Sequence, residues 1–188
     1  GKGAKKGILI KGGEALETAH KVKFVVLDKT GTITKGEPEV TDIVNINFKD
    51  ENSFLRLAAS LEKSSEHPLA EAIVKKAKEK DITLDKINHF KAIPGHGISG
   101  KIKNKSYFFG NQKLMDNKKI KNKEYLDQII SLEEQGKTVM QLSDGKKLLG
   151  LIAVADPIKP TSKFAIGLLK KLKIHVYMIT GDNKRTAK

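Results

Sequence analysis

Apolar and polar positions follow an α/β pattern near both ends of this chain. Phe24–Leu27 is a short run of apolar, β-prone residues, as is typical of a strand buried on both faces. A second such run, Ile174–Ile179, comes near the other end, and amphipathic helical spacing over Thr161–Leu172 precedes it. The two ends of the chain therefore predict parts of one α/β sheet.

The middle of the chain has a different pattern, with short strands and amphipathic helices mixed. Apolar residues recur at helical spacing from Phe54 and again after Pro68, a residue that suits a first helical turn. A third helix is predicted around Ile129. Short or alternating apolar runs predict strands at 39–48, near 93, and at 98–102, 107–109, 138–142 and 148–155, the last two flanking a hairpin turn at Asp144-Gly145.

An α/β pattern that brackets an antiparallel α+β pattern is the signature of one domain inserted into another. The limits predicted from the pattern are 1–35 and 156–188 for the outer domain and 36–155 for the inserted one. At 188 residues, the chain is long enough for two small domains of this kind.

The formal net charge of +14 invites a nucleic-acid interpretation, but the residue types argue against it. Of 36 basic residues, only Arg56 and Arg185 are arginine, the residue type that recognises phosphates and guanine in a bidentate manner. Aromatic residues make up 5% and Trp is absent, so platforms for base stacking are scarce. We therefore expect a solvated, lysine-rich surface and no nucleic-acid partner.

Two further absences narrow the class of protein. The chain has no cysteine, which excludes disulfides, thiolate catalysis and cysteine zinc sites. Its longest apolar run, Leu148–Ala155, is eight residues, whereas a membrane span needs about 20. Residues 1–11 are basic and lack the apolar core of a signal peptide, so we expect no membrane span in this chain.

The first apolar strand ends in a carboxylate that is followed by hydroxyls and a glycine, in the sequence DKTGTIT (Asp28–Thr34). A carboxylate at the carboxyl end of a sheet strand can attack a phosphoryl group and hold Mg²⁺. The heptapeptide resembles the phosphorylation signature of the P-type ATPases, ion pumps of the haloacid-dehalogenase superfamily. That resemblance implies an α/β fold: a partial haloacid-dehalogenase-like (Rossmannoid) phosphorylation domain with an inserted antiparallel α+β nucleotide-binding domain.

Other segments resemble the motifs of the same family in the expected order, and the resemblance covers nearly the whole chain. They look most like the branch that transports heavy metals. These segments are GILIKGGEAL at 7–16, EKSSEHP at 62–68, GHGI at 95–98, GN at 110–111, the hinge motif DPIKP at 156–160 and TGDN at 180–183.

The resemblance implies roles for particular residues of this chain. The catalytic group would comprise Asp28 as nucleophile together with Lys29, Thr30, Thr180, Gly181 and Asp182. Mg²⁺ would be held by the Asp28 carboxylate and the main-chain oxygen of Thr30. ATP would lie against Glu62, His67, Gly95, Gly97, Ile98, Gly110 and Asn111, with Glu62 and His67 contacting the adenine.

The implied parent protein is a bacterial or archaeal membrane pump, with this region on the cytoplasmic side. Its partners would be ATP and the transmembrane and actuator domains of the same protein. The segments at 7–17 and 62–74 look more like copper(I) pumps than zinc/cadmium pumps, and the zinc/cadmium pump remains the alternative.

Two other functions stay open at this point. A phosphatase of the same superfamily usually carries an acid/base Asp two residues after its nucleophile, but here that position is Thr30. A nucleotide-binding module without turnover is the alternative from another class, and the presence of Asp28 and Thr180 argues against it for the parent protein.

Overall fold

The computed structural model describes Gly7, Leu9 and residues 12–180, which divide into two compact units. The terminal unit consists of the described residues up to Thr34 together with Ile158–Thr180, and the central unit is Lys35–Pro157. The predicted boundaries concern domains that fold independently, and in that sense they remain a prediction. Within the described residues, no helix combines the length and apolarity needed to cross a membrane.

The terminal unit contains a two-stranded parallel sheet. Its elements are α1 (Gly13–His20), β1 (Phe24–Asp28), α6 (Pro160–Lys171) and β8 (His175–Ile179). Strands β1 and β8 pair from Phe24 opposite His175 to Asp28 opposite Ile179. The expectation that β1 is buried on both faces is wrong for the described residues, because Phe24 and Val26 on one face are 60% and 56% exposed.

The central unit is built on a six-stranded antiparallel sheet with the strand order β2-β7-β6-β5-β4-β3. Its strands are β2 (Glu39–Asn45), β3 (Asn88–Ile93), β4 (Gly97–Ile102), β5 (Lys105–Gly110), β6 (Thr138–Ser143) and β7 (Leu148–Ala155). Its helices are α2 (Glu51–Glu62), α3 (Pro68–Glu79), α4 (Gln112–Asn117) and α5 (Leu126–Glu134), with a 3₁₀ turn at Lys123–Tyr125. The antiparallel α+β architecture agrees with the sequence pattern.

Two hydrophobic cores form on the two faces of this sheet. Strand β7 contributes to both cores: Leu149 and Ile152 pack with α2 and α3, whereas Leu148 and Leu151 pack with α4 and α5. A register shift at Leu149 interrupts the usual alternation of side chains along the strand. Because β7 is buried on both faces, it reads as a continuous apolar run.

The pattern missed helices α1 and α4 and extended strand β2 three residues too far. Helices α1 and α4 carry few apolar residues at helical spacing, so periodicity does not reveal them. Strand β2 ends at Asn45, before the predicted residue 48, because the Asn45 side chain accepts a hydrogen bond from the backbone N–H of Phe48 at 3.0 Å and turns the chain.

Candidate functional site

The predicted nucleophile lies at the carboxyl end of a parallel strand. Asp28 is the last residue of β1, is exposed, and pairs with Ile179 at the end of β8. Thr180 follows directly and therefore belongs to the same end of the sheet. Gly181 and Asp182 lie outside the described residues. The arrangement brings one carboxylate and one hydroxyl-bearing residue to the edge where open α/β sheets bind ligands.

The loop after Asp28 is organised by the side chain of Thr34. Residues Lys29–Ile33 form one wide helical turn that passes through an extended Thr30 (φ −74°, ψ 124°) and a left-handed Gly31 (φ 72°, ψ −13°). Thr34 is 1% exposed. Its Oγ1 accepts from the Gly31 N–H at 3.2 Å and donates to the Lys29 carbonyl at 2.9 Å. Sequence reasoning assigned no role to this hydroxyl, which is a structural support of the loop.

The same strand end offers oxygen ligands of the kind that Mg²⁺ prefers. Asp28 presents an exposed carboxylate and Thr30 an adjacent main-chain oxygen. No group of three or more His, Asp or Glu side chains within the described ranges could hold a metal ion. Mg²⁺ commonly takes one or two carboxylates and completes its shell with water and substrate phosphates, so these residues fit Mg²⁺ better than a cation that needs a full protein cage.

In the central unit, the seven predicted nucleotide residues line one cavity of about 420 Å³. They come from the end of α2, the start of α3, the β3–β4 turn, β4, and the β5–α4 junction. Sequence reasoning missed nine further lining residues: Ser65, Leu69, Ala92, Ile93, Pro94, His96, Thr138, Val139 and Met140. The hairpin signal at Asp144-Gly145 predicts strand β6, but the pairing of β6 with β5, with Gly110 opposite Gln141, is what brings the last three to the cavity.

Glu62 is a buried acid in the wall of this cavity. It is 3% exposed, and its Oε2 has no hydrogen-bond partner among the described residues. Burial raises the pKa of Glu62 to about 7, and a side-chain hydrogen bond with Ser65 opposes that rise only in part. A buried carboxyl oxygen without a hydrogen-bond partner is costly, so the Oε2 of Glu62 points to a ligand that supplies the missing partner.

We expect the free energy of unfolding of the central unit to fall as the pH rises from about 4.5 to about 7. An unfolded chain ionises Glu62 near 4.5, whereas the folded chain keeps its proton to about 7. The stabilisation from the protonated group is therefore complete below the lower pKa and is lost as the pH passes the upper one. Its size is on the order of 3 kcal/mol, measurable by urea unfolding at several pH values.

Two variants isolate the contribution of Glu62 to this pH dependence. Glu62→Gln carries no charge at any pH and should flatten the decline of the free energy of unfolding. Glu66→Gln changes an exposed acid in the loop that follows Glu62 and should follow the wild type. Equal slopes for wild type and Glu62→Gln would show that Glu62 does not titrate in this range.

His67 combines a structural contact with a place on the cavity wall. It is the N-cap of α3, and its Nδ1 accepts a hydrogen bond from the backbone N–H of Leu69 at 3.2 Å. That bond assigns Nδ1 as the unprotonated nitrogen and leaves Nε2–H as the donor of a neutral imidazole. The ring is therefore oriented by the helix it caps.

The other wall depends on the close approach of β4 and β5. Gly97 and Gly110 are directly paired, and a Cβ on Gly110 would lie 2.1 Å from the carbonyl oxygen of His96. Asn111 completes the junction: its Oδ1 accepts from the Leu114 N–H at 3.2 Å, and its Nδ2 donates to the Gly95 carbonyl at 2.9 Å. Both ends of the Asn111 amide are thus used to fix the turn that borders the cavity.

Comparison with known proteins agrees with the motifs. The chain is 49% identical over 188 residues to a copper-exporting P-type ATPase of Staphylococcus aureus strain JH9, covering all of this chain and 23% of that protein. The crystal structure of a zinc-transporting PIB-type ATPase in its E2.Pi state aligns with a TM-score of 0.80 at 34% identity, over 98% of this chain and 30% of that one. The catalytic domain of the CPx-ATPase CopB-B, from a structure on nucleotide-induced conformational changes, aligns with a TM-score of 0.68 at 27% identity, covering 97% and 63% of the two chains.

The predicted resemblance and fold class are thereby confirmed. The chain spans about a quarter of the length of the curated relatives that it matches. The sequence profile of one family, described as haloacid dehalogenase-like hydrolase, matches residues 22–188. Because this match covers both segments of the terminal unit as well as the central unit, the chain belongs to the haloacid dehalogenase-like hydrolases.

Proposed function

We propose that this chain is the ATP-binding and phosphorylation region of a P-type ATPase that couples ATP hydrolysis to the transport of a heavy-metal cation, Cu(+), across a membrane. The observation that carries the proposal is the position of Asp28, which ends a parallel strand beside Thr180 and opens the DKTGTIT loop. A nucleophile there has the exposure that an in-line attack on a phosphoryl group requires.

The cavity of the central unit supports the binding of a purine nucleotide. Its volume of about 420 Å³ combines an apolar lining from Leu69, Ile98 and Met140 with the polar groups of Glu62 and His67. A purine edge carries both hydrogen-bond donors and acceptors, so it can pair the Oε2 of Glu62 that the described residues leave unpaired. The apolar lining suits the faces of a flat ring.

In the proposed reaction, a carboxylate oxygen of Asp28 forms a bond to the γ-phosphorus of ATP. The bond from that phosphorus to the bridging oxygen breaks, ADP leaves with the electron pair, and an aspartyl phosphate remains. Thr180 is assigned to a phosphoryl oxygen. Asp28 and the Thr30 main-chain oxygen would hold Mg²⁺, which would neutralise phosphate charge when bound.

Thr30 favours a stored phosphoenzyme over a rapid phosphatase. It occupies the position where superfamily phosphatases usually carry an acid/base carboxylate. A threonine hydroxyl does not ionise near neutral pH, so it cannot act as the general base that activates water. Slow loss of the aspartyl phosphate suits a pump, because one hydrolysis is divided between two conformational states.

The assignment of Cu(+) as the transported ion rests on the degree of sequence identity to known metal pumps. The match to a copper-exporting relative is 49% identical, whereas the match to the zinc-transporting structure is 34% identical. The parent protein would lie in a bacterial cell membrane with this region on the cytoplasmic side. Its transmembrane and actuator domains would be the partners of the terminal and central units.

His67→Asn should weaken ATP binding by about 5- to 30-fold, the effect of losing one oriented contact of ~1–2 kcal/mol. Asn is a good N-cap, so the start of α3 should keep its stability while the imidazole is lost. Isothermal titration calorimetry with ATP measures the dissociation constant, and thermal unfolding measures the cap.

A second substitution separates the two roles of His67. His67→Ala removes the cap as well and should cost about 1 kcal/mol of stability in addition to the lost affinity. Wild-type affinity for ATP in both variants, with the folds intact, would remove His67 from the nucleotide site.

A further inference from the structure

The loop that follows Asp28 is tied at two points to the segment that opens α6. Ser162 Oγ donates to the carbonyl of Ile33 at 2.7 Å, and the backbone N–H of Lys159 donates to the same carbonyl at 3.0 Å. The ammonium of Lys159 donates to the carbonyl of Gly31. All of these groups lie within the terminal unit.

The Ser162 hydroxyl is buried and committed to this contact. Ser162 is the third residue of α6, after the N-cap Lys159 and the first helical residue Pro160. The helix has no side-chain cap, and the Ser162 hydroxyl donates to a residue 129 positions earlier. Its place in the sequence is therefore explained by the loop it holds.

The ties from α6 complement those made inside the loop. Inside the loop, the Thr34 hydroxyl donates a hydrogen bond to the Lys29 carbonyl. From the segment that opens α6, Lys159 donates to the Gly31 carbonyl. Ser162 donates to the Ile33 carbonyl. Alternate carbonyl groups of the loop are thus restrained on both sides of Thr30, the residue assigned to Mg²⁺. Such restraint keeps the reacting groups in one geometry, since a small misplacement near the chemistry is costly in rate.

We propose that Lys159 and Ser162 are positioning residues for phosphoryl transfer to Asp28, acting through the carbonyl groups of Gly31 and Ile33. The inference rests on the proposed function, since it assumes that Asp28 is the nucleophile. Neither residue touches the substrate in this scheme. They determine how the Thr30 oxygen is presented.

The test is rapid-quench measurement of phosphoenzyme formation from ATP in the full-length pump that carries this chain. Lys159→Met keeps the aliphatic stem and removes the donor, and Ser162→Ala removes the hydroxyl without changing charge. Each should slow phosphorylation by about tenfold and raise the Mg²⁺ concentration for half-maximal rate several-fold. Lys159→Arg, which retains a charged donor, should recover most of the rate, and Lys163→Met, an exposed neighbour on α6, should match the wild type.

The outcomes separate this inference from the proposed function. ATP affinity should stay unchanged in every variant, because the cavity belongs to the central unit. Absence of phosphoenzyme in the wild type would overturn the proposed function. A normal wild type with wild-type rates and Mg²⁺ dependence in both Lys159→Met and Ser162→Ala would overturn the positioning role alone. The positioning role would also be overturned if phosphorylation slowed without a change in its Mg²⁺ dependence and Lys159→Arg did not recover the rate.

Discussion

Asp28→Asn is expected to abolish the acid-stable, hydroxylamine-sensitive phosphoprotein that, under the proposed function, the parent pump forms from ATP labelled in its γ-phosphate. In the proposed reaction the carboxylate oxygen is the nucleophile, and an amide at the same position has no anionic oxygen to attack phosphorus. The substitution is nearly isosteric, and the Asp28 side chain is exposed at the end of β1. The local fold should therefore survive while the chemistry is lost.

Two controls make this result specific. Glu17→Gln removes an exposed acid from α1 in the same unit and should leave labelling unchanged. ATP binding by Asp28→Asn, measured by calorimetry, should persist because the cavity lies in the central unit. Undiminished labelling of Asp28→Asn would remove Asp28 from the nucleophilic role.

The position of Asp28 at a strand end was predictable because its signal is local. An apolar run, a carboxylate and a glycine-containing loop follow one another in sequence, and the structure has β1 end at Asp28. The seven cavity residues were also named from short motifs, although they come from several different elements. Naming them required the family resemblance, because only the register of the β-sheet and the packing of α2 and α3 bring them around one cavity.

The features that escaped sequence reasoning depend on long-range contacts. The burial of Glu62, which leaves its Oε2 without a partner among the described residues, follows from the packing of the end of α2. Threonine and serine are common residues, and no sequence pattern marks the hydroxyls of Thr34 and Ser162 as structural. The contact between Ser162 and Ile33 also joins residues 129 positions apart. Hydrophobic periodicity also cannot show that Phe24 and Val26 are exposed. It records which residues are apolar, but it does not show whether another helix or strand packs against them.

The second large effect is expected at the paired glycines Gly97 and Gly110, where β4 and β5 meet beside the cavity. A glycine beside a binding site can be needed for the ligand or for the protein's own packing, and the distances decide between them. A Cβ on Gly110 would lie 2.1 Å from the carbonyl oxygen of His96 and 2.9 Å from the Cα of Gly97. Both are main-chain atoms, which cannot rotate away as the end of a flexible side chain can.

Gly110→Ala should therefore lower the free energy of unfolding of the central unit by about 3 kcal/mol, the upper part of the usual range for an overpacked core. Because relief requires β4 and β5 to separate next to the β3–β4 turn, ATP affinity should also fall, by at least about tenfold. Urea unfolding measures the first effect, and calorimetry at a temperature where the variant is folded measures the second.

Gly95→Asn is the matched control, since Gly95 lines the same cavity in a different environment. No atom lies within 4 Å of a Cβ built there, and the φ of 71° is one that Asn adopts more readily than most residues. This variant should lose less than about 1 kcal/mol of stability. If Gly110→Ala unfolded like the wild type, the close pairing of β4 with β5 would not be what requires glycine, and the two strands would have room for a side chain at this position.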